Sequence, residues 1–104
     1  MARQFEVVAN PDAEDAQHRP YLVILQSDLV SNLRSTIVAP LIARKEMLGA
    51  RQLNPLVTVD GREYWIAVYE LFAIEQRMLS PKVASVGDQR DAIVGAIDFL
   101  FTGF

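Results

Sequence analysis

Cysteine is absent from the 104 residues, which excludes disulfides and thiolate metal sites and makes a reducing cytosol the expected compartment. Histidine occurs once, at His18, inside a polar stretch. A nucleophile–base pair would need a Ser or Thr brought to it by the fold, and no spacing signals one; His18 reads as a solvated loop residue. Asp12, Glu14 and Asp15 cluster locally but lack the glycine and terminal glutamate of a calcium loop. The five glycines are scattered, so no phosphate-cradling loop exists, and no metal or cofactor is expected. Long apolar runs are missing too. The longest, Ile37 to Ala43, has seven residues and contains Pro40, against the ~20 needed to span a bilayer. Met1-Ala-Arg-Gln lacks the apolar segment of a signal peptide, so a cytoplasmic domain without membrane association is expected.

What is present is an ordinary globular balance, 51% hydrophobic and 22% charged, with length for one domain over residues 1–104. Ten basic and thirteen acidic residues give a net charge of −3, which disfavours a stand-alone nucleic-acid binder.

The most strongly patterned stretch is the C-terminal run from Gly87 to Phe104. Ile93, Ile97, Leu100 and Phe104 recur at spacings of four, three and four, and Ala96, Phe99 and Phe101 widen that stripe. This predicts an amphipathic helix. Asp88 is the expected N-cap, Asp91 complements the helix dipole in the first turn, and Gly103 suits a C-cap. Ile93, Ala96 and Ile97 fit a helix docked on its own core. Phe101, Gly103 and Phe104 instead suggest a tip that meets a partner, because exposed aromatics are costly unless covered.

Upstream, Gln4–Ala9 reads as a strand. Asn10–Pro20 reads as a mobile polar loop, and Tyr21–Gln26 as a strand buried on both faces. Leu29 and Val30 are aliphatics placed oddly in a polar turn. Thr36–Ile42 is extended, with Pro40 implying an edge or a bend. Ala43–Asn54 is a loop with room for one helical turn. Leu56–Val59, Asp60-Gly61 and Glu63–Val68 form a hairpin signal, since Asp-Gly accepts the positive φ angles of tight turns. Tyr69–Leu79 is open between strand and helix. Tyr64, Trp65 and Tyr69 read as core packing. Arg44, Lys45 and Arg51 form a small basic group, which fits either an acidic partner or an ordinary charged face. The sum is an α+β domain: about five strands in an antiparallel, partly closed sheet, followed by one helix.

Several segments together resemble the CcdB toxins of bacterial toxin–antitoxin modules, which poison DNA gyrase. They are Gln4-Phe5, Gln26-Ser27-Asp28 followed by Leu29-Val30, Pro40-Leu41, Asn54-Pro55-Leu56-Val57, Trp65, and the ending Ala96, Ile97, Phe101, Gly103, Phe104. The resemblance covers essentially the whole chain. It implies an SH3-like antiparallel barrel of about five main strands plus a small extra hairpin and a C-terminal helix, acting as a homodimer without enzymatic activity. It assigns contact with the gyrase A subunit to Leu29, Val30, Asp98, Phe101, Thr102, Gly103 and Phe104. It also implies a CcdA-like acidic antitoxin, with Arg44, Lys45 and Arg51 as its expected contacts, and operator DNA bound only through that antitoxin.

One position departs from the family. Thr102 stands where the resemblance calls for a tryptophan that stacks on an arginine of the target, a contact worth ~0.5–2 kcal/mol. Two other readings accompany gyrase poisoning, the first of them motivated by Thr102. One is an antitoxin-binding dimer that has lost toxicity. The other is an RNA-cleaving toxin on the same barrel, against which the negative charge and the lone histidine weigh.

Overall fold

The computed structural model describes every residue except Met1, Arg51 and Phe104. Among these residues seven strands form one antiparallel sheet: β1 (Glu6–Ala9), β2 (Tyr21–Ile24), β3 (Ser35–Ala43), β4 (Leu56–Val59), β5 (Arg62–Ile66), β6 (Phe72–Glu75) and β7 (Lys82–Ser85). Among the described residues one α-helix, α1 (Arg90–Thr102), follows. The spatial order is β4-β5-β3-β2-β1-β7, with β6 also on β3. The α+β architecture expected from the sequence is the one present.

β3 organises the sheet because its nine residues serve three partners. One edge pairs with β2 over Val38–Leu41. The other pairs with β6 over Ser35–Val38 and with β5 over Leu41–Ala43. Pro40 falls at the handover between β6 and β5, in a buried strand flanked on both sides, not at a sheet edge. Its carbonyl accepts the Ala67 N–H at 2.9 Å, so the missing proline N–H lies on the same side, toward Ala67 and away from β2: the β2–β3 ladder is untouched, and only the reciprocal bond to Ala67, just past the end of β5, is forgone.

β2 explains why an unbroken apolar run was needed. Leu22 and Ile24 face one side, where Val8 and Val38 join them under Ile74 and Leu79. Val23, with Tyr21 partly buried, faces the other, where α1 covers a core that includes Val7, Leu41, Ile66 and Val68. Alternation puts consecutive residues into different cores. Ile93 and Ala96 are fully buried against the larger core, and Val94, Ile97 and Leu100 pack at its margin. Burying Ile93 alone contributes roughly 1.5–3 kcal/mol.

Local chemistry sets the connections. Asp60 and Gly61 take φ of 52° and 77°, as a two-residue hairpin turn demands. Gly103 ends α1 at φ 79°, its N–H returning to the Phe99 carbonyl at 3.0 Å. Asp88 does not cap the helix. It sits inside a 3₁₀ turn, Gly87–Gln89, and makes no side-chain capping bond; Gln89 occupies the cap position.

The Asn10–Pro20 loop is tied down. Arg19 forms a forked ion pair with Glu70 at 2.8 and 3.2 Å and a further bond to Asp15 at 3.1 Å. Asn10 bonds Asp15 and the Arg19 carbonyl, and Asp12 accepts the N–H groups of Glu14 and Asp15. His18 is exposed at the end of the Asp15–Gln17 turn.

Candidate functional site

Two exposed apolar features have Gln26 as a common neighbour. The Asp28–Val30 segment is a 3₁₀ turn that holds Leu29 at 93% exposure and Val30 at 43%. The turn is built, not slack. Ser27 Oγ accepts the Leu29 N–H at 3.1 Å, and the Asp28 carboxylate accepts the Gln4 N–H at 2.8 Å. Gln26 donates through Nε2 to the Val30 carbonyl at 3.0 Å, while its Oε1 accepts the Ile37 N–H at 3.2 Å. Leu29 is thus presented at little further cost in ordering, which favours binding.

The second feature is Phe101, 68% exposed on the last turn of α1. With Leu25, Gln26, Ile37, Leu71 and Ile97 it lines a cleft of about 330 Å³. Gln26 is common to both features. One side chain fastens the Leu29–Val30 turn and walls the cleft that Phe101 borders.

Of the residues expected at this surface, Leu29, Val30 and Phe101 are exposed on neighbouring elements linked through Gln26. Asp98, Thr102 and Gly103 are exposed along the helix end. Thr102 turns inward on its own helix, donating its hydroxyl to the Asp98 carbonyl at 2.6 Å. Phe104 lies outside the described residues. Gln26 was visible in the sequence only as part of a resemblance. Its bridging role needed β2 and β3 side by side.

A basic cleft lies elsewhere, where β3 ends beside β5. Ala43, Arg44, Lys45, Arg62, Glu63 and Tyr64 line about 360 Å³. Arg44 and Glu63 form an exposed ion pair at 2.8 Å. Arg51, expected with Arg44 and Lys45, lies outside the described residues. Arg62 is the cation that sequence reasoning missed, because it belongs to the hairpin and not to the loop. Tyr64 is buried against Tyr21, edge to face at 5.5 Å. Burial pushes its phenol above the ordinary value, and Tyr21 adds to the shift.

The chain is thus of the α+β class, a curled antiparallel sheet covered on one side by a C-terminal helix. The chain is similar to the Mycobacterium tuberculosis toxin MazF-mt6, at a TM-score of 0.70 and 18% identity, with 95% of this chain and 96% of that one covered. At that identity the likeness is one of fold. A search of curated proteins finds no match. The particular family is set by sequence: the model of the CcdB protein matches residues 4–103, and the chain belongs to the CcdB family. No helix among the described residues is long and apolar enough to cross a membrane.

Proposed function

We propose that this chain, acting as one toxin domain over residues 1–104, inhibits DNA gyrase by binding its A subunit. It does so without enzymatic chemistry of its own. A cytoplasmic homodimer offers two helix ends to the gyrase A-subunit dimer and traps it with its DNA cleaved. The contacts are Leu29, Val30, Asp98, Phe101, Thr102, Gly103 and Phe104. The observation that carries this reading is the pairing of an exposed Phe101 with a fully presented Leu29 across elements joined by Gln26. Large apolar side chains exposed on fixed elements are a feature of protein-binding surfaces.

A cognate antitoxin binds the basic surface that includes Arg44 and Lys45, with Arg51, and neutralises the toxin. Operator DNA is contacted by the antitoxin, in keeping with the toxin's net charge of −3. The test is a plasmid-cleavage assay with gyrase from the source organism. Linear plasmid accumulating with added protein is the expected result. Uncut, normally supercoiled product at excess protein would refute the reading.

A second reading has one observation in its favour. Thr102 offers no ring and commits its hydroxyl to Asp98, so the contact the family makes at that position is missing. An antitoxin-binding dimer without gyrase activity would give normal growth on expression without antitoxin. RNA cleavage by the purified chain, with gyrase unaffected, would point instead to an RNA-cleaving toxin.

A further inference from the structure

The segment 31–34 joins the Asp28–Val30 turn to β3 and belongs to neither helix nor strand. Its carbonyls are nevertheless taken up almost one after another. Gln76, which follows β6, donates through Nε2 to the Ser31 carbonyl at 2.6 Å and the Leu33 carbonyl at 2.7 Å. Its backbone N–H donates to the Arg34 carbonyl at 2.9 Å. From the β2 side, Gln26 holds the Val30 carbonyl at 3.0 Å. Both hydrogens of the Gln76 amide are thereby used, and the reversed amide would set its oxygen against two carbonyl oxygens. A residue 45 positions from Ser31 and 43 from Leu33 thus fixes the shape of this arch.

The arch is polar except at one position. Leu33 stands 53% exposed beside Ser31, Asn32 and Arg34, and it packs against neither core. With Leu29 and Val30 it makes three exposed aliphatics within five positions. Each sits on backbone that a side chain holds: Ser27 at the Leu29 N–H, Gln26 at the Val30 carbonyl and Gln76 at the Leu33 carbonyl. Exposed aliphatics scattered singly are ordinary, whereas a run of them on pinned backbone is apolar area kept in place for a partner. Three residues of chain reach at most about 10 Å, and one side of an interface covers roughly 800 Å², so a partner seated on Leu29 and Val30 also reaches Leu33.

We propose that Leu33 is a further contact for the gyrase A subunit, and that Gln76 is the positioning residue that holds it in place. The assignment of Leu33 deepens the reading given above and rests on it for the partner's identity. Neither residue is among the contacts that the resemblance assigns, and neither lies on α1. Gln76 touches no partner itself. It acts through the backbone, because a segment already ordered gives up less conformational entropy on binding than a loose one. Continuity with Leu29 and Val30 along one fastened segment favours the same occupant for all three. A second copy of this chain over Leu33 is the competing occupant, and the mass of the particle in solution separates the two.

The plasmid-cleavage assay with gyrase from the source organism is run on the unaltered chain, Leu33→Ser, Gln76→Ala and the double variant. The half-maximal concentration is expected to rise about tenfold for Leu33→Ser and about fivefold for Gln76→Ala, at an unchanged maximum of cleavage. In the Leu33→Ser background, Gln76→Ala should add less than about twofold, because a positioning residue then has little left to position. A merely structural role would give additive losses. Trypsin cleavage after Arg34 should quicken with Gln76→Ala while the melting midpoint stays within a few degrees. If Gln76→Ala does not fold, Gln76→Met, of similar length and without a donor, takes its place. Light scattering should return the same mass for Leu33→Ser as for the unaltered chain. A lower mass would place a second copy over Leu33 and overturn the proposal. Indifference of the half-maximal concentration to Leu33→Ser, additive losses in the double variant, or unchanged cleavage after Arg34 would each do the same and leave gyrase inhibition standing. No linear plasmid with the unaltered chain would overturn both, so the two failures are told apart.

Discussion

The indole of Trp65 and the backbone of Gly49 are in face contact, close enough that a β-carbon on Gly49 would sit 2.5 Å from the ring. The ring cannot yield easily, because its N–H is committed to two carbonyls of the Arg44–Gly49 loop. Gly49→Ala is therefore expected to destabilise the fold by about 1–3 kcal/mol, through a displaced ring or a displaced loop. In a chain of this size that lowers the melting midpoint by about 4 °C or more. Trp65 emission should shift to the red as the ring loses cover. An unchanged melt and spectrum would mean that the contact is not as close as described.

The Tyr64 phenol makes stability depend on pH in the alkaline range. Burial favours the neutral form in the folded state, so its pKa there lies above the ordinary 10.0. A raised folded pKa stabilises the fold fully below the unfolded value, and that contribution is lost as pH rises through the folded value. Stability should therefore be insensitive to Tyr64 at neutral pH and fall from about pH 10 upward. Spectrophotometric titration should show a late tyrosine ionisation, and Tyr64→Phe should remove that phase and flatten the alkaline loss of stability.

At the proposed gyrase surface, Phe101→Ala and Leu29→Ser touch exposed side chains and should leave the melting midpoint within a few degrees. Each is expected to cost 2 kcal/mol or more in binding if it is an anchor, about 30-fold in the concentration needed for plasmid linearisation. Gln26→Ala is expected to weaken the same activity with Leu29 and Phe101 intact, by freeing the Asp28–Val30 turn. Faster hydrogen exchange confined to that turn would separate this from global destabilisation.

The Arg19–Glu70 fork joins the β1–β2 loop to the turn after β5. Both side chains are about one-third exposed, so screening reduces its worth. Glu70→Gln should cost about 1 kcal/mol, and the difference from the unaltered chain should shrink in high salt. Proteolysis within Asn10–Pro20 should become faster in that variant. Equal cleavage rates would show that the loop is held by its local bonds alone.

The parts legible in the sequence were those written in one continuous stretch. Tyr21–Ile24 carries apolar side chains toward both faces, which only a doubly covered strand requires. Asp60-Gly61 supplies the backbone angles of its own hairpin. Arg90–Thr102 repeats apolar residues at the helical period, and Gly103 ends it. Each is a local rule acting over a few residues, so each survives without knowledge of the partner.

The remainder was decided by tertiary contact. Phe72–Glu75 and Lys82–Ser85 are too short and weakly alternating to declare themselves, and become strands because β3 and β1 offer them free edges. Pro40 reads as an edge signal until the pairing shows its missing N–H on the side where β3 passes from β6 to β5, so that the cost is one bond at the end of the β5 pairing and none to β2. The polar loop reads as loose until Arg19 finds Glu70 fifty-one positions away. Gln26 and Arg62 acquire their roles in the same manner, from neighbours that the chain order separates. The sequence by itself determined where side chains must be buried and where the backbone must turn. Which surfaces stand together depends on strand pairing over long separations, and only the folded sheet decides that.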